Sequence, residues 1–145
     1  MVKFVLNDGG RALAGYKGKA RDCVCRAICI ASGLPYQQVY DALAKGTGSQ
    51  RAGKNGKRPA SANNGINTSR KWFKDYMESI GFVWVPTMQI GGGCKVHVDA
   101  NELPKGRLVL SLSKHYAAFI DGVLHDTHDS SRDGTRCVYG YWKFN

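Results

Sequence analysis

Residues 115–127 read HYAAFIDGVLHDT, two mainly apolar segments on either side of an Asp-Gly pair. Asp121 and Gly122 form a dipeptide that favours a two-residue type I′ turn, so the flanking segments are predicted to pair as an antiparallel hairpin. In that register Ile120 pairs with Val123, and Ala117 pairs with Asp126. Because side chains alternate along a strand, one face of the hairpin is predicted to carry His115, Ala117, Phe119, Leu124, Asp126 and His128.

This register makes Asp126 a diagonal neighbour of His115, within reach of a carboxylate–imidazole hydrogen bond. Such a bond orients the ring and fixes its tautomer. A charged side chain is unusual on a face shared with Phe119 and Leu124, and it is natural for a residue that orients a histidine. Asp129 and Asp133 stay open as alternatives for that role.

The other two histidines of this stretch are interpreted differently. His125 is predicted to point to the opposite face of the hairpin. His128 is predicted to lie across from His115 near the strand end, where a solvated loop position is favoured.

Upstream, residues 22–32 (DCVCRAICIAS) predict a helix that Asp22 caps and Gly33 ends in the left-handed conformation. Cys23 then lies in the first turn, where exposed amide groups favour a thiolate and can bind an oxyanion. Cys25 is the rival nucleophile, deeper in the helix. The alternative for Cys23 is a cysteine packed in the core.

The remaining pattern predicts one α+β domain over residues 1–145, with N-terminal helices packed on a C-terminal antiparallel sheet. A short strand is expected at residues 2–6, a second helix from Pro35 to about Lys45, and a basic mobile loop at about 46–66. A third helix is expected to start at Asn67 or Thr68 and to stop at Gly81. The later strands are predicted in FVWVPT, RLVLSLS, HYAAFID, VLHDT and CVYGYWKF.

With these elements in place, the sequence resembles papain-like cysteine peptidases, including small bacterial and phage-type members. The resemblance covers roughly residues 20–144 and lies in the chain order Cys, His, Asp. The cysteine opens a helix (DCVCRA), the histidine opens a strand (HYAAFID), and the acid lies on the next strand (VLHDT). It implies a papain-like fold with Cys23 as nucleophile, His115 as general acid and base, and Asp126 as the residue that orients His115. The segment HDTHDSSRDGTRCVYGYW also resembles phage-type proteins.

The sequence departs from the papain-like pattern at two places. Those enzymes usually carry a glutamine five or six residues before the nucleophile, where this chain has Lys17 and Gly18. The aromatic residue that often follows the cysteine is Val24 here. The resemblance therefore leaves the second oxyanion donor and the substrate class unassigned.

Cysteine usage and charge bear on the setting and the partners. An odd count of five cysteines, three of them within seven residues, is a poor disulfide framework, so a reducing, cytoplasmic setting is predicted. No stretch is long and apolar enough to span a bilayer, and the N-terminal apolar run is too short for a signal peptide. The net charge of +10 is concentrated in residues 45–74, which hold eight basic side chains and no acidic ones. This segment is either a solvated loop or a contact for nucleic acid or an acidic protein partner.

Two spacings permit a zinc site: CKVH, with Cys94 and His97, and HDTH, with His125 and His128, each to be completed by Cys137. An alternating strand separates His125 from the face of Asp126, and Cys94 falls in a loop with no assigned position. No metal and no cofactor are predicted.

The sequence therefore predicts a cysteine-dependent hydrolase, with a peptide or isopeptide substrate implied by the resemblance. Transglutaminase or deamidase chemistry would use the same triad. Two rivals are kept: a non-catalytic basic binding protein, and an enzyme relative that keeps the fold without turnover.

Overall fold

The computed structural model describes residues 2–15, 22–48, 68–88 and 91–144. Within these ranges the chain forms three α-helices and one six-stranded mixed sheet, which confirms the α+β class. The elements follow in the order β1 (Lys3–Leu6), α1 (Cys23–Ser32), α2 (Tyr36–Gly48), α3 (Lys71–Ser79), β2 (Phe82–Pro86), β3 (Arg107–Leu112), β4 (His115–Ile120), β5 (Val123–Asp126) and β6 (Gly140–Phe144).

The hairpin of β4 and β5 has the predicted register. Ile120 pairs with Val123 and Ala118 with His125, so the ladder continues toward Ala117 and Asp126. Asp121 and Gly122 both have positive φ, at 47° and 84°, as a type I′ turn requires. The side chains of β4 and β5 therefore alternate as the sequence indicates.

The sheet order is β1-β5-β4-β3-β6-β2, which places β3 and β4 at the centre. Their residues are mostly buried, which explains their nearly continuous apolar sequences, RLVLSL and HYAAFI. The hairpin that carries His115 and Asp126 thus lies in the interior of the sheet.

The predicted antiparallel sheet is wrong at one edge, because β1 pairs with β5 in parallel. The pairing continues past the strand, where the amide of Asn7 donates to the carbonyl oxygen of Asp126 at 2.8 Å. The Asn7 side chain also donates to Nδ1 of His125 at 3.3 Å. These contacts join residues 118 or more positions apart in the sequence, and local patterns do not reveal such pairings.

The two faces of the sheet are covered in different ways. The three helices pack on one face, against buried residues such as Val109, Tyr116, Ala118 and Trp142. The other face carries Leu108, Leu110 and Phe119, and it is covered by buried Val98, Leu103 and Val138 from outside the named strands and helices. The site described below lies where α1 begins against the start of β4.

The helices differ from the predictions in the capping of α1 and in two boundaries. Asp22 is the N-cap of α1 by position, but its side chain makes no capping hydrogen bond, and Gly33 ends the helix with φ of 77° as predicted. Helix α2 continues to Gly48, past the predicted end at Lys45. In this added turn, Trp72 packs closely against Gly46. Helix α3 starts at Lys71 rather than Asn67 or Thr68, because Arg70 is still extended.

Residues 49–67, which make up most of the predicted basic loop and of the basic segment, lie outside the described residues. Among the helices that are described, none is both long and apolar enough to cross a membrane.

The turn of the β4–β5 hairpin offers a stability test. Substituting Gly122→Ala is expected to destabilise the protein, since φ is 84° and the added Cβ would lie 3.1 Å from Cβ of Ala100. The left-handed backbone alone costs about 1–2 kcal/mol for a residue with a Cβ. Gly15→Ala is the matched control, because Gly15 has φ of 93° and no heavy atom within 4 Å. In urea unfolding, Gly122→Ala should lose more stability than Gly15→Ala; equal losses would show that the Ala100 contact is unimportant.

Candidate active site

Cys23 is the first residue of α1 and is partly exposed. The residues that follow it, from Val24 to Ala31, are all buried except Ile30. The first turn of a helix leaves amide groups without carbonyl partners inside the helix. These amides carry a partial positive charge that stabilises an anion at this position. The thiol therefore combines access to solvent with the favourable end of the helix dipole.

Opposing effects act on the Cys23 thiol. Burial by itself would raise its pKa, but hydrogen bonds with the His115 side chain and the Tyr116 backbone lower it, as do the charges of His115 and Arg26. The net result is a thiol pKa below the ordinary cysteine value. At neutral pH this shift favours the thiolate, which is the nucleophilic form.

His115 lies between Cys23 and Asp126. Its Nε2–H donates to Oδ2 of Asp126 at 2.6 Å, which leaves Nδ1 as the ring nitrogen for the thiol. Burial lowers the pKa of His115, but the bonds with Asp126 and Cys23 outweigh that effect and raise the pKa to about 9. The lowered thiol pKa and the raised imidazole pKa therefore both favour the charged forms of Cys23 and His115.

Asp126 is itself held from several sides, with its side chain only 3% exposed. The Ser130 hydroxyl donates to Oδ2 at 2.8 Å and the Thr127 amide donates to Oδ1 at 2.7 Å. Burial raises the pKa of Asp126, but the His115 bond and these further donors bring the pKa below its usual value. The carboxylate therefore stays charged and keeps the imidazole in one orientation.

Sequence reasoning missed a buried charge network beneath the triad. Arg26, one turn along α1 from Cys23, donates from Nη1 to Asp22, and its Nη2 lies 4.0 Å from Oδ1 of Asp126. Asp22 also accepts from the Tyr36 hydroxyl and lies 3.4 Å from Nε of Arg11. The four-residue spacing of Asp22 and Arg26 on a predicted helix was the available signal. The network explains why the Asp22 side chain does not cap α1.

The structure separates the predicted residues from their rivals. Cys25 is fully buried, and its neighbour Cys29 and its burial raise its pKa far above the ordinary value. Asp129 accepts hydrogen bonds from Ser131 instead of contacting His115. Asp133 lies in the turn that follows, where the Thr135 amide donates to the Arg132 carbonyl oxygen. Cys23, His115 and Asp126 are therefore the residues brought together.

His128 is an exposed loop residue across from His115, as predicted. Its ring centroid is 5.3 Å from that of His115, although the residue is exposed. His115, Asp126 and His128 each offer a ligand atom within 4.8 Å of the others, so among the described residues they form a set that could hold a metal ion. A metal there would compete with the His115–Asp126 hydrogen bond. His125 points away, bonded to Asn7, as predicted.

A cavity of about 240 Å³ opens beside Tyr116, whose backbone contacts the Cys23 thiol. Trp84 and Trp142 line it with ring centroids 5.2 Å apart, and Lys74 adds a positive charge. The indole nitrogen of Trp142 is buried and has no hydrogen-bond partner within the described part of the chain. The cavity thus offers two aromatic walls and one positive charge.

The second oxyanion donor stays unassigned. Papain-like enzymes usually carry a glutamine at the position of Lys17 or Gly18, and both residues lie outside the described residues. Comparison with known proteins finds no family model, no curated protein and no solved structure that matches this chain.

The charge on Asp126 is expected to control the titration of His115. Asp126→Asn should lower the pKa of His115 from about 9 toward the ordinary histidine value near 6.5, because the carboxylate stabilises the imidazolium. NMR titration of the ring protons measures this change. Asp129→Asn is the control, since Asp129 bonds Ser131, and it should leave the titration unchanged. An unchanged His115 pKa in Asp126→Asn would contradict the assigned contact.

The buried network is expected to matter for stability. Arg26→Met should lower the free energy of unfolding by about 3–5 kcal/mol, because it removes the guanidinium from a buried ion pair with Asp22. Lys71→Met is the control: it removes an ion pair with Asp75 of the same four-residue spacing, but the lysine side chain is 88% exposed. That control should change stability little. Equal effects in chemical denaturation would show that the Arg26 contacts are not stabilising.

Proposed function

We propose that this protein is a papain-like thiol hydrolase in which Cys23 is the nucleophile, His115 the general acid and base, and Asp126 the residue that orients His115. The observation that carries the proposal is that one imidazole interacts both with the Cys23 thiol and with the buried Asp126 carboxylate, the latter at 2.6 Å. A lowered thiol pKa beside a raised imidazole pKa is the electrostatic signature that a cysteine nucleophile requires.

The proposed reaction is acyl transfer to water. The Cys23 thiolate attacks an amide carbonyl, forming a carbon–sulfur bond and an oxyanion, to which the Cys23 amide at the start of α1 can donate. His115, present as imidazolium, gives its proton to the leaving amine as the carbon–nitrogen bond breaks. Neutral His115 then takes a proton from water, which attacks the thioester and releases the acid and the thiolate.

The surroundings of the site support a peptide or isopeptide substrate. The cavity beside Tyr116 suits an apolar or aromatic side chain, because two tryptophans line it. Lys74 at the cavity favours a substrate that carries a negative charge nearby.

The pair of shifted pKa values predicts how reactivity depends on pH. Limiting iodoacetamide, read site by site by mass spectrometry, should label Cys23 ahead of Cys25 and Cys29, with an apparent pKa below the usual ~8.5. His115→Ala should remove this advantage, whereas His125→Ala should keep it, because His125 lies on the opposite face of the hairpin and bonds Asn7. If Cys23 labels no faster than the buried cysteines, the proposal fails.

Turnover tests the reaction itself. With an activated peptide ester and a peptide amide, the wild type should form an acyl adduct on Cys23 and release product, and Cys23→Ser should do neither. Amide hydrolysis should rise as Cys23 ionises and fall as pH passes about 9, since His115 then loses the proton that it gives to the leaving group. If Cys23 is reactive but turnover does not exceed that of Cys23→Ser, the interaction between Cys23 and His115 is supported and the proposed hydrolase activity is rejected.

A further inference from the structure

A second cysteine–histidine cluster lies apart from the triad and is not used by the proposed reaction. Cys94 and Cys137 are 43 residues apart in sequence and form a disulfide, with Cα atoms 5.9 Å apart. Nε2 of His97 lies 3.7 Å from the sulfur of Cys94. Nδ1 of His97 is 3.0 Å from Oε1 of Glu102. Two sulfurs, one imidazole and one carboxylate therefore converge at one place.

The backbone holds this cluster from both sides. His97 and Cys137 form an isolated antiparallel bridge. Around it the Val98 amide donates to the Arg136 carbonyl at 2.9 Å, and the Val138 amide donates to the Val96 carbonyl at 2.8 Å. Val98 and Val138 are fully buried in the core beneath the sheet, so both segments are anchored. The donors are therefore placed by the fold rather than by the disulfide alone.

We propose that Cys94, Cys137 and His97 bind Zn²⁺ when the two cysteines are reduced. Two thiolates and an imidazole are a preferred zinc donor set, with water available as a fourth ligand. With Zn–S about 2.3 Å and Zn–N about 2.0–2.1 Å, a tetrahedral ion places sulfur and nitrogen roughly 3.6 Å apart. The Cys94 sulfur and Nε2 of His97 are 3.7 Å apart.

Glu102 completes the arrangement without touching the metal. Its carboxylate accepts the Nδ1–H of His97, which fixes the tautomer that leaves Nε2 bare and directed toward the sulfur of Cys94. The turn at Asp99 positions it, since the Glu102 amide donates to the Asp99 carbonyl at 3.0 Å. A carboxylate behind the histidine is the usual outer partner of a zinc ligand.

The disulfide and the zinc site are alternative states of one cysteine pair. Reduction by two equivalents of a small-molecule thiol breaks the Cys94–Cys137 bond, transfers two electrons and two protons to the protein, and forms one disulfide of the reductant. Zn²⁺ then binds to the two sulfurs with release of the two thiol protons. The site charge is balanced by one divalent cation and two thiolates.

To test the proposal, the whole chain is first reduced with an excess of a small thiol, and the reductant is removed under anaerobic conditions. The reduced protein is then loaded with Zn²⁺. Elemental analysis should find one zinc per chain in the reduced protein and none in the protein kept oxidised. Co²⁺ in place of Zn²⁺ should give a thiolate-to-metal charge-transfer band. Cys94→Ser and Cys137→Ser should abolish the band, and Cys23→Ser should retain it.

Two further variants separate this site from the triad and from effects on folding. His128→Ala removes a donor of the set beside His115 and should leave zinc affinity unchanged. Glu102→Gln keeps all three ligands and should weaken zinc binding about 10–100-fold, with circular dichroism unchanged. The proposal is overturned if the reduced wild type binds no zinc. It is also overturned if zinc binding is lost in Cys23→Ser or His128→Ala but is kept in Cys94→Ser. Full affinity in Glu102→Gln overturns the role given to Glu102.

Discussion

The register of the β4–β5 hairpin is the constraint on which the candidate site depends. A type I′ turn at Asp121 and Gly122 sets that register, and a slip of one residue would move Asp126 to the opposite face of the sheet. Only in the observed register does the carboxylate reach Nε2 of His115 at 2.6 Å. Because β4 is a central, buried strand, the packing around it holds the imidazole in this position.

Helix α1 is joined to this hairpin by buried charge as well as by apolar packing. Arg26 lies between Asp22 and Asp126, with all three side chains at least 92% buried. Apolar packing alone is nondirectional, whereas paired buried charges penalise every arrangement in which one of them loses its partner. The same guanidinium lowers the pKa of Cys23. The network that docks the helix therefore also tunes the thiol that the helix presents.

The fold gives its five cysteines three different environments. Cys25 and Cys29 are core residues, and the contact with Cys29 together with burial raises the pKa of Cys25. Cys23 is partly exposed at a helix start beside an imidazole. Cys94 and Cys137 meet among the loops that cover the second core. The cytoplasmic setting stays a prediction, and the paired cysteines make the redox state of that setting decisive for the second site.

Local chemistry in the sequence determined the hairpin, its turn, the start of α1 at Cys23 and its end at Gly33, and from these the placing of His115 beside Asp126. Turn type, side-chain alternation and helix ends depend on neighbouring residues, so a single sequence contains them. Only the tertiary structure decided the parallel addition of β1, the pairing of Cys94 with Cys137, and the use of Asp22 to hold Arg26 rather than to cap α1. Each of these contacts either joins segments far apart in the chain or depends on burial between a helix and the sheet. Their partners were selected by the free energy of the whole packed domain, which no local pattern encodes.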